Sequence, residues 1–120
     1  MRQFILRVAI DAPLDFCPDY RWIAGPEVSA VPEVGQLVLA PFGRRKVTGV
    51  IVAVLDKAEV PEEKLREVIA IRDAVPPLSS QWADLCRFAA AYYQRPLGEV
   101  MLPGLPKKLR TESTVALERA

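Results

Sequence analysis

This chain has no histidine and only two cysteines, so acid-base chemistry would fall to its carboxylates. Cys17 and Cys86 stand far apart, so neither a zinc-ligand spacing nor a Cys-His nucleophile pair can be written. Both thiols read as small buried hydrophobes. Acid-base catalysis would need a perturbed carboxylate pair, and neither Glu62-Glu63 nor Asp15/Asp19 is spaced differently from solvated loop residues. A Gly-x-x-x-x-Gly-Lys-Ser/Thr loop is absent, as is a dinucleotide-type glycine run, so this stretch has no cradle for nucleotide phosphates. The expectation is a binding module and not an enzyme.

Two basic clusters remain. Arg44, Arg45 and Lys46 fall at a turn, and Lys107, Lys108 and Arg110 lie close together further on. Either can meet phosphates, and either can equally be a solvated turn or chain end. Sixteen basic residues against fifteen acidic ones leave a net charge of +1, too little to grip a long stretch of phosphate backbone. Tyr92-Tyr93 offers aromatic faces on which bases stack, but both lie on an apolar helical stripe, which predicts core packing instead. Trp22 shows no pattern that decides its role.

The elements that position these groups follow from periodicity. Phe4, Leu6, Val8 and Ile10 alternate with Gln3, Arg7 and Ala9, which predicts a first strand. Residues 11–32 carry Pro13, Pro18, Pro26, Pro32 and Gly25, which predicts a loop-rich excursion with a short extended piece at Tyr20 to Ile23. Gln36 to Ala40 reads as a second strand that stops at Pro41-Phe42-Gly43. Lys46 to Leu55, rich in valine and isoleucine, reads as a central strand forming a hairpin with it. Leu65 to Arg72 offers a further strand through Val68, Ile69 and Ile71, after a break at Pro61-Glu62-Glu63-Lys64. Ser79 or Ser80 caps a helix whose stripe is Trp82, Leu85, Cys86, Ala89, Tyr92 and Tyr93, ended by Arg95-Pro96. Leu97 to Leu105 allows only a short helical turn.

Together these predict a mixed β+α fold: a small curled antiparallel sheet or OB-like partial barrel, then a short helical subdomain. The organisation expected is a β-rich subdomain over 1–75, a helical subdomain over 76–110 and a linker over 111–120. The 51% hydrophobic content allows a small core. No apolar run reaches the roughly 20 residues that cross a bilayer, so a cytoplasmic protein without membrane contact is expected.

Several stretches in order carry a resemblance: Val8-Ala9-Ile10-Asp11-Ala12-Pro13-Leu14, Asp19-Tyr20, Pro41-Phe42-Gly43, Gly49-Val50-Ile51-Val52 and Leu65-Arg66-Glu67-Val68. The most specific is Ala91-Tyr92-Tyr93-Gln94-Arg95-Pro96-Leu97-Gly98-Glu99-Val100. Over residues 4 to 110 the chain resembles the N-terminal domain of the PriA family of replication-restart helicases, the primosomal proteins N′. The resemblance implies recognition of the 3′-hydroxyl end of a nascent DNA strand at a stalled fork, whatever its terminal base. It places the family's pocket on Pro18, Asp19, Tyr20, Gly43 and Arg66. Pro18 stands where the family usually has phenylalanine, with Phe16 two residues earlier as a candidate ring; Arg66 stands where lysine is common. In the family, ATP and zinc belong to helicase and metal-binding modules that this stretch does not contain. The partners implied are a free 3′-hydroxyl end and forked DNA, with primosome proteins and single-strand-binding protein reached through a longer chain.

The chemistry of such a pocket is simple. An ionised Asp19 accepts hydrogen bonds only, so it can accept one from a terminal 3′-hydroxyl, a donor that internal nucleotides lack. A 3′-phosphate removes the donor and sets negative charge beside the carboxylate. Glycine at position 43 lets backbone approach a base without reading it. One charge-assisted bond is worth roughly 1.5 to 3 kcal/mol, enough for preference without tight binding. Two other roles stay open. Asp19 can instead cap its own loop, and the near-neutral, proline-rich surface also suits a protein-interaction module docking on a helicase core or primosome partners.

Overall fold

The computed structural model describes residues 2–14, 16–24, 31–55, 64–72 and 76–105. Among these residues five strands, β1 (Arg2–Ile10), β2 (Asp19–Ala24), β3 (Leu37–Phe42), β4 (Arg45–Leu55) and β5 (Ala70–Ile71), precede two helices, α1 (Ser80–Tyr93) and α2 (Leu97–Met101). All neighbouring strands pair antiparallel in the order β2-β1-β4-β3-β5. This is the curled β+α architecture that the periodicity predicts.

The alternation along β1 sends Leu6, Val8 and Ile10 into an interior with Tyr20, Val38, Ala40, Ile51 and Val68, and Phe4 packs at its margin. The opposite face is buried too. Ala9, Leu37 and Val50 lie against Ala83, Cys86, Met101, Leu102 and Leu105 from the helical segment. A central strand covered on both sides explains the abundance of valine and isoleucine in β4. Each fully buried side chain of this kind contributes roughly 1.5–3 kcal/mol relative to exposure.

Residues 66–72 join the two edges of the sheet. The Arg21 N–H of β2 donates to the Arg66 carbonyl at 2.9 Å, and the Val68 N–H returns a bond of 2.9 Å to the Arg21 carbonyl. On the other side, the Ile69 and Arg72 N–H groups donate to the carbonyls of Leu39 and Leu37, each at 2.8 Å. A segment divided between two partners keeps little regular ladder, so β5 is shorter than the strand expected from Val68, Ile69 and Ile71. The closure also brings Arg66 beside the start of β2.

Two further differences have physical causes. The extended piece expected at Tyr20 to Ile23 is a full strand, paired with β1 from Arg2↔Ala24 to Arg7↔Asp19. The strand expected to stop before Pro41 runs through Pro41 and Phe42. Leu37 and Leu39 turn their carbonyls toward β5, so by the two-residue repeat Pro41 also turns that way. β5 pairs only with Val38 and Leu39, so the missing proline N–H removes no ladder bond there.

The Ser79 hydroxyl accepts from the Trp82 N–H at 3.1 Å, and the helix it caps ends at Gln94, whose φ is 54°. Pro96 follows, where the residue before a proline avoids the α region. The buried face is Ala83, Cys86 and Ala90. The expectation of core packing for Tyr92 and Tyr93 is therefore corrected: they are 70% and 69% exposed, beside Leu85 at 64% and Phe88 at 67%. The helix approaches the sheet along its small residues, and Met101, Leu102 and Leu105 fill the space that the large side chains would have taken. α2 sits closer still. A Cβ on Gly98 would lie 1.6 Å from the Ile10 carbonyl oxygen, so only glycine fits.

The expected break at 61–63, the cluster Lys107, Lys108 and Arg110, and the linker over 111–120 lie outside the described residues.

Candidate functional site

Pro18, Asp19, Tyr20, Gly43 and Arg66 line one cavity of about 180 Å³, together with Pro41, Phe42 and Lys64. Three separate stretches of chain meet there: the entry to β2, the β3–β4 turn, and the segment that closes the sheet.

Each side chain is held by a definable contact. Tyr20 is 4% exposed, and its hydroxyl donates to the Pro41 carbonyl at 2.8 Å, fastening β2 to the end of β3. Burial pushes the Tyr20 phenol up against the opposing charge of Arg66, so the hydroxyl remains a donor. Gly43 adopts φ +60°, as this turn requires, and nothing lies within 4 Å of where a Cβ would stand. Its carbonyl accepts from the Arg66 guanidinium at 2.8 Å. Arg66 thus ties the closing segment to the hairpin tip and presents its charge at the rim.

Asp19 is paired. Arg7 Nε donates to its Oδ1 at 2.9 Å and a second guanidinium nitrogen reaches Oδ2 at 3.4 Å. The two residues face each other in the β1–β2 register, and the Asp19 side chain is only 6% exposed. A carboxylate offers about four lone-pair positions, so two remain for other donors after Arg7 takes its share. Arg7 aims the carboxylate and offsets its charge.

Two neighbouring cavities flank this one. The first, about 400 Å³, is lined by Pro41, Gly43, Arg44, Arg45, Lys46, Arg66, Glu67 and Ile69, and is strongly basic. The turn cluster Arg44, Arg45 and Lys46 is therefore adjacent to the small cavity, and its own cavity shares Pro41, Gly43 and Arg66 with it. The second, about 480 Å³, is lined by Arg7, Phe16, Cys17, Asp19, Val52, Ala53, Arg87 and Leu97. Phe16 lines this larger cleft and not the small cavity that Pro18 lines. Cys17 is half-buried and Cys86 is buried. Burial raises both thiols, with Arg7 and Arg87 opposing it at Cys17 and Arg87 at Cys86.

Two lining or supporting residues escaped sequence reasoning. Arg7 sits at a partly buried position of β1, where a charged side chain carries no signal until the strand register sets it against Asp19. Lys64 falls in the proline- and glutamate-rich break and reads there as a solvated turn residue. Among the described residues no cluster of three or more His, Cys, Asp or Glu side chains is arranged to hold a metal ion.

A curled partial barrel with a cavity built from backbone, one held carboxylate and basic side chains suits a nucleic-acid-binding class of domain. The model of the PriA 3′ DNA-binding domain matches residues 7–106, and the chain belongs to that family. It is also 37% identical over 116 residues to the replication restart protein PriA of Haemophilus influenzae. The alignment covers 96% of this chain and 15% of that relative, so the chain spans a small part of the relative's length. The matched family is a 3′ DNA-binding domain.

Proposed function

We propose that this domain captures the 3′-hydroxyl terminus of a DNA strand without reading the terminal base, in the service of replication restart at forks. The observation that carries this reading is the convergence of Pro18, Asp19, Tyr20, Gly43 and Arg66 on one cavity. Asp19, aimed by Arg7, accepts a hydrogen bond from the terminal hydroxyl. Backbone around Pro41 and Gly43 meets the base, and because Tyr20 gives its own hydroxyl to Pro41, little side-chain chemistry remains to distinguish one base from another. The strand's phosphates lie along Arg44, Arg45 and Lys46, whose cavity adjoins at Gly43 and Arg66. Recognition needs neither metal nor nucleotide, so chelation leaves it unchanged. The site of action is the cytoplasm, where a bacterial fork lies; no described helix is long and apolar enough to cross a membrane.

Fluorescence anisotropy with strands ending in 3′-hydroxyl or 3′-phosphate tests the reading. The hydroxyl end binds about ten-fold tighter or more, and Asp19→Asn removes most of that ratio. Equal affinities for the two ends in the unaltered protein overturn it.

A second reading concerns protein partners. The exposed Leu85, Phe88, Tyr92 and Tyr93 form an apolar face on α1, of the kind that marks interaction sites. In a longer chain, this face suits contact with a helicase core, with primosome proteins or with single-strand-binding protein. Association with a separately produced helicase core that survives excess DNA and fails with Phe88→Ser supports this role.

A further inference from the structure

The three cavities lie in a fixed sequence, with Asp19 between the last two. The basic one shares Pro41, Gly43 and Arg66 with the small one, and the small one shares only Asp19 with the larger cleft. The basic cavity and the cleft share no lining residue, so the small cavity lies between them. This order gives a bound strand a polarity. With phosphates at Arg44, Arg45 and Lys46 and the terminal hydroxyl at Asp19, the strand ends at the wall of the larger cleft, which lies beyond the 3′ end.

The cleft has the chemistry of a base site. Its floor is apolar through Val52, Ala53 and Leu97, and Phe16 stands at it with two-thirds of its surface in water. Arg87 reaches in from α1, with its guanidinium steadied by Asp84 at 3.3 Å and the Val52 carbonyl at 3.5 Å. An exposed ring over an apolar floor with one positioned guanidinium suits a stacked base and its phosphate. Arg7 is already engaged with Asp19 and serves the cleft only as its boundary.

Resting on the 3′-end reading above, we infer that this cleft receives the first unpaired nucleotide of the complementary strand. Its base stacks on Phe16 and its phosphate meets Arg87. The domain thereby recognises a recessed 3′ end with template continuing past it, and not merely a strand terminus.

The test uses the 120-residue chain and duplexes with a recessed 3′ end, in which the first overhanging nucleotide is either normal or abasic. The normal overhang binds about ten-fold tighter than the abasic one, and Phe16→Ala binds the two alike. Arg87→Met weakens binding of the normal overhang and lowers the salt dependence by about one phosphate contact. In the unaltered protein, the same duplexes carrying 3′-phosphate report on Asp19 independently. Equal binding of normal and abasic overhangs, with the hydroxyl preference intact, overturns the cleft assignment alone. Loss of the hydroxyl preference overturns both readings, and a Phe16→Ala protein that still distinguishes the overhangs overturns the role of the ring.

Discussion

Arg7 and Asp19 face each other across the β1–β2 ladder, and the guanidinium engages both carboxylate oxygens, at 2.9 Å and 3.4 Å. A carboxylate that is 6% exposed and held in this way points in one direction. Arg7→Met leaves that charge without its partner. The expected cost is about 1–3 kcal/mol, below the range for a fully buried pair because Arg7 is 27% exposed. The preference for 3′-hydroxyl over 3′-phosphate falls with it. Urea unfolding measures the first effect and anisotropy the second; an unchanged preference would separate Arg7 from the pocket.

Tyr20→Phe deletes the bond to the Pro41 carbonyl and nothing of the ring. The buried acceptor is then left without that donor, and stability falls by about 1–2 kcal/mol. The pH dependence has a definite sign. The folded phenol titrates above its ordinary value of 10.0, so its contribution is complete below pH 10 and is lost as pH rises through the folded value. The stability of the unaltered protein therefore declines above pH 10 more steeply than that of Tyr20→Phe, as thermal melts at stepped alkaline pH will show.

Gly98→Ala drives a methyl group against the Ile10 carbonyl. Backbone cannot yield as a side-chain tip can, so α2 must leave β1, exposing Met101 and Leu102. A loss of about 3 kcal/mol or more is expected, read as a lowered melting temperature.

Phe88→Ser with Tyr92→Ser changes two rings that stack on one another at a centroid distance of 6.1 Å and face water. Stability shifts by less than about 1 kcal/mol. A loss of 3 kcal/mol or more in equilibrium unfolding would restore these rings to the core.

The local order of the chain was legible because it depends on neighbours in sequence. Alternation marked β1, Pro41-Phe42-Gly43 marked the hairpin, Ser79 and Pro96 bracketed α1, and the glycines at 43 and 98 stand where a turn and a close approach require them. The match of short motifs also nominated Asp19, Tyr20, Gly43 and Arg66 before any geometry was known. Apolarity alone misled at Tyr92 and Tyr93. Periodicity gives a stripe but not the side of it that a sheet covers, and Ala83 and Ala90 allow the closer approach.

What only the tertiary structure decided is which residues act together. The closing of residues 66–72 between β2 and β3 sets Arg66 over Gly43, and strand register sets Arg7 against Asp19. Phe16 falls in the larger cleft although it is two residues from Pro18. Sequence carries the chemistry of each side chain and the local bias of its backbone. Pairing between distant strands is fixed by the collective burial of their faces, and no single stretch of this chain contains that information.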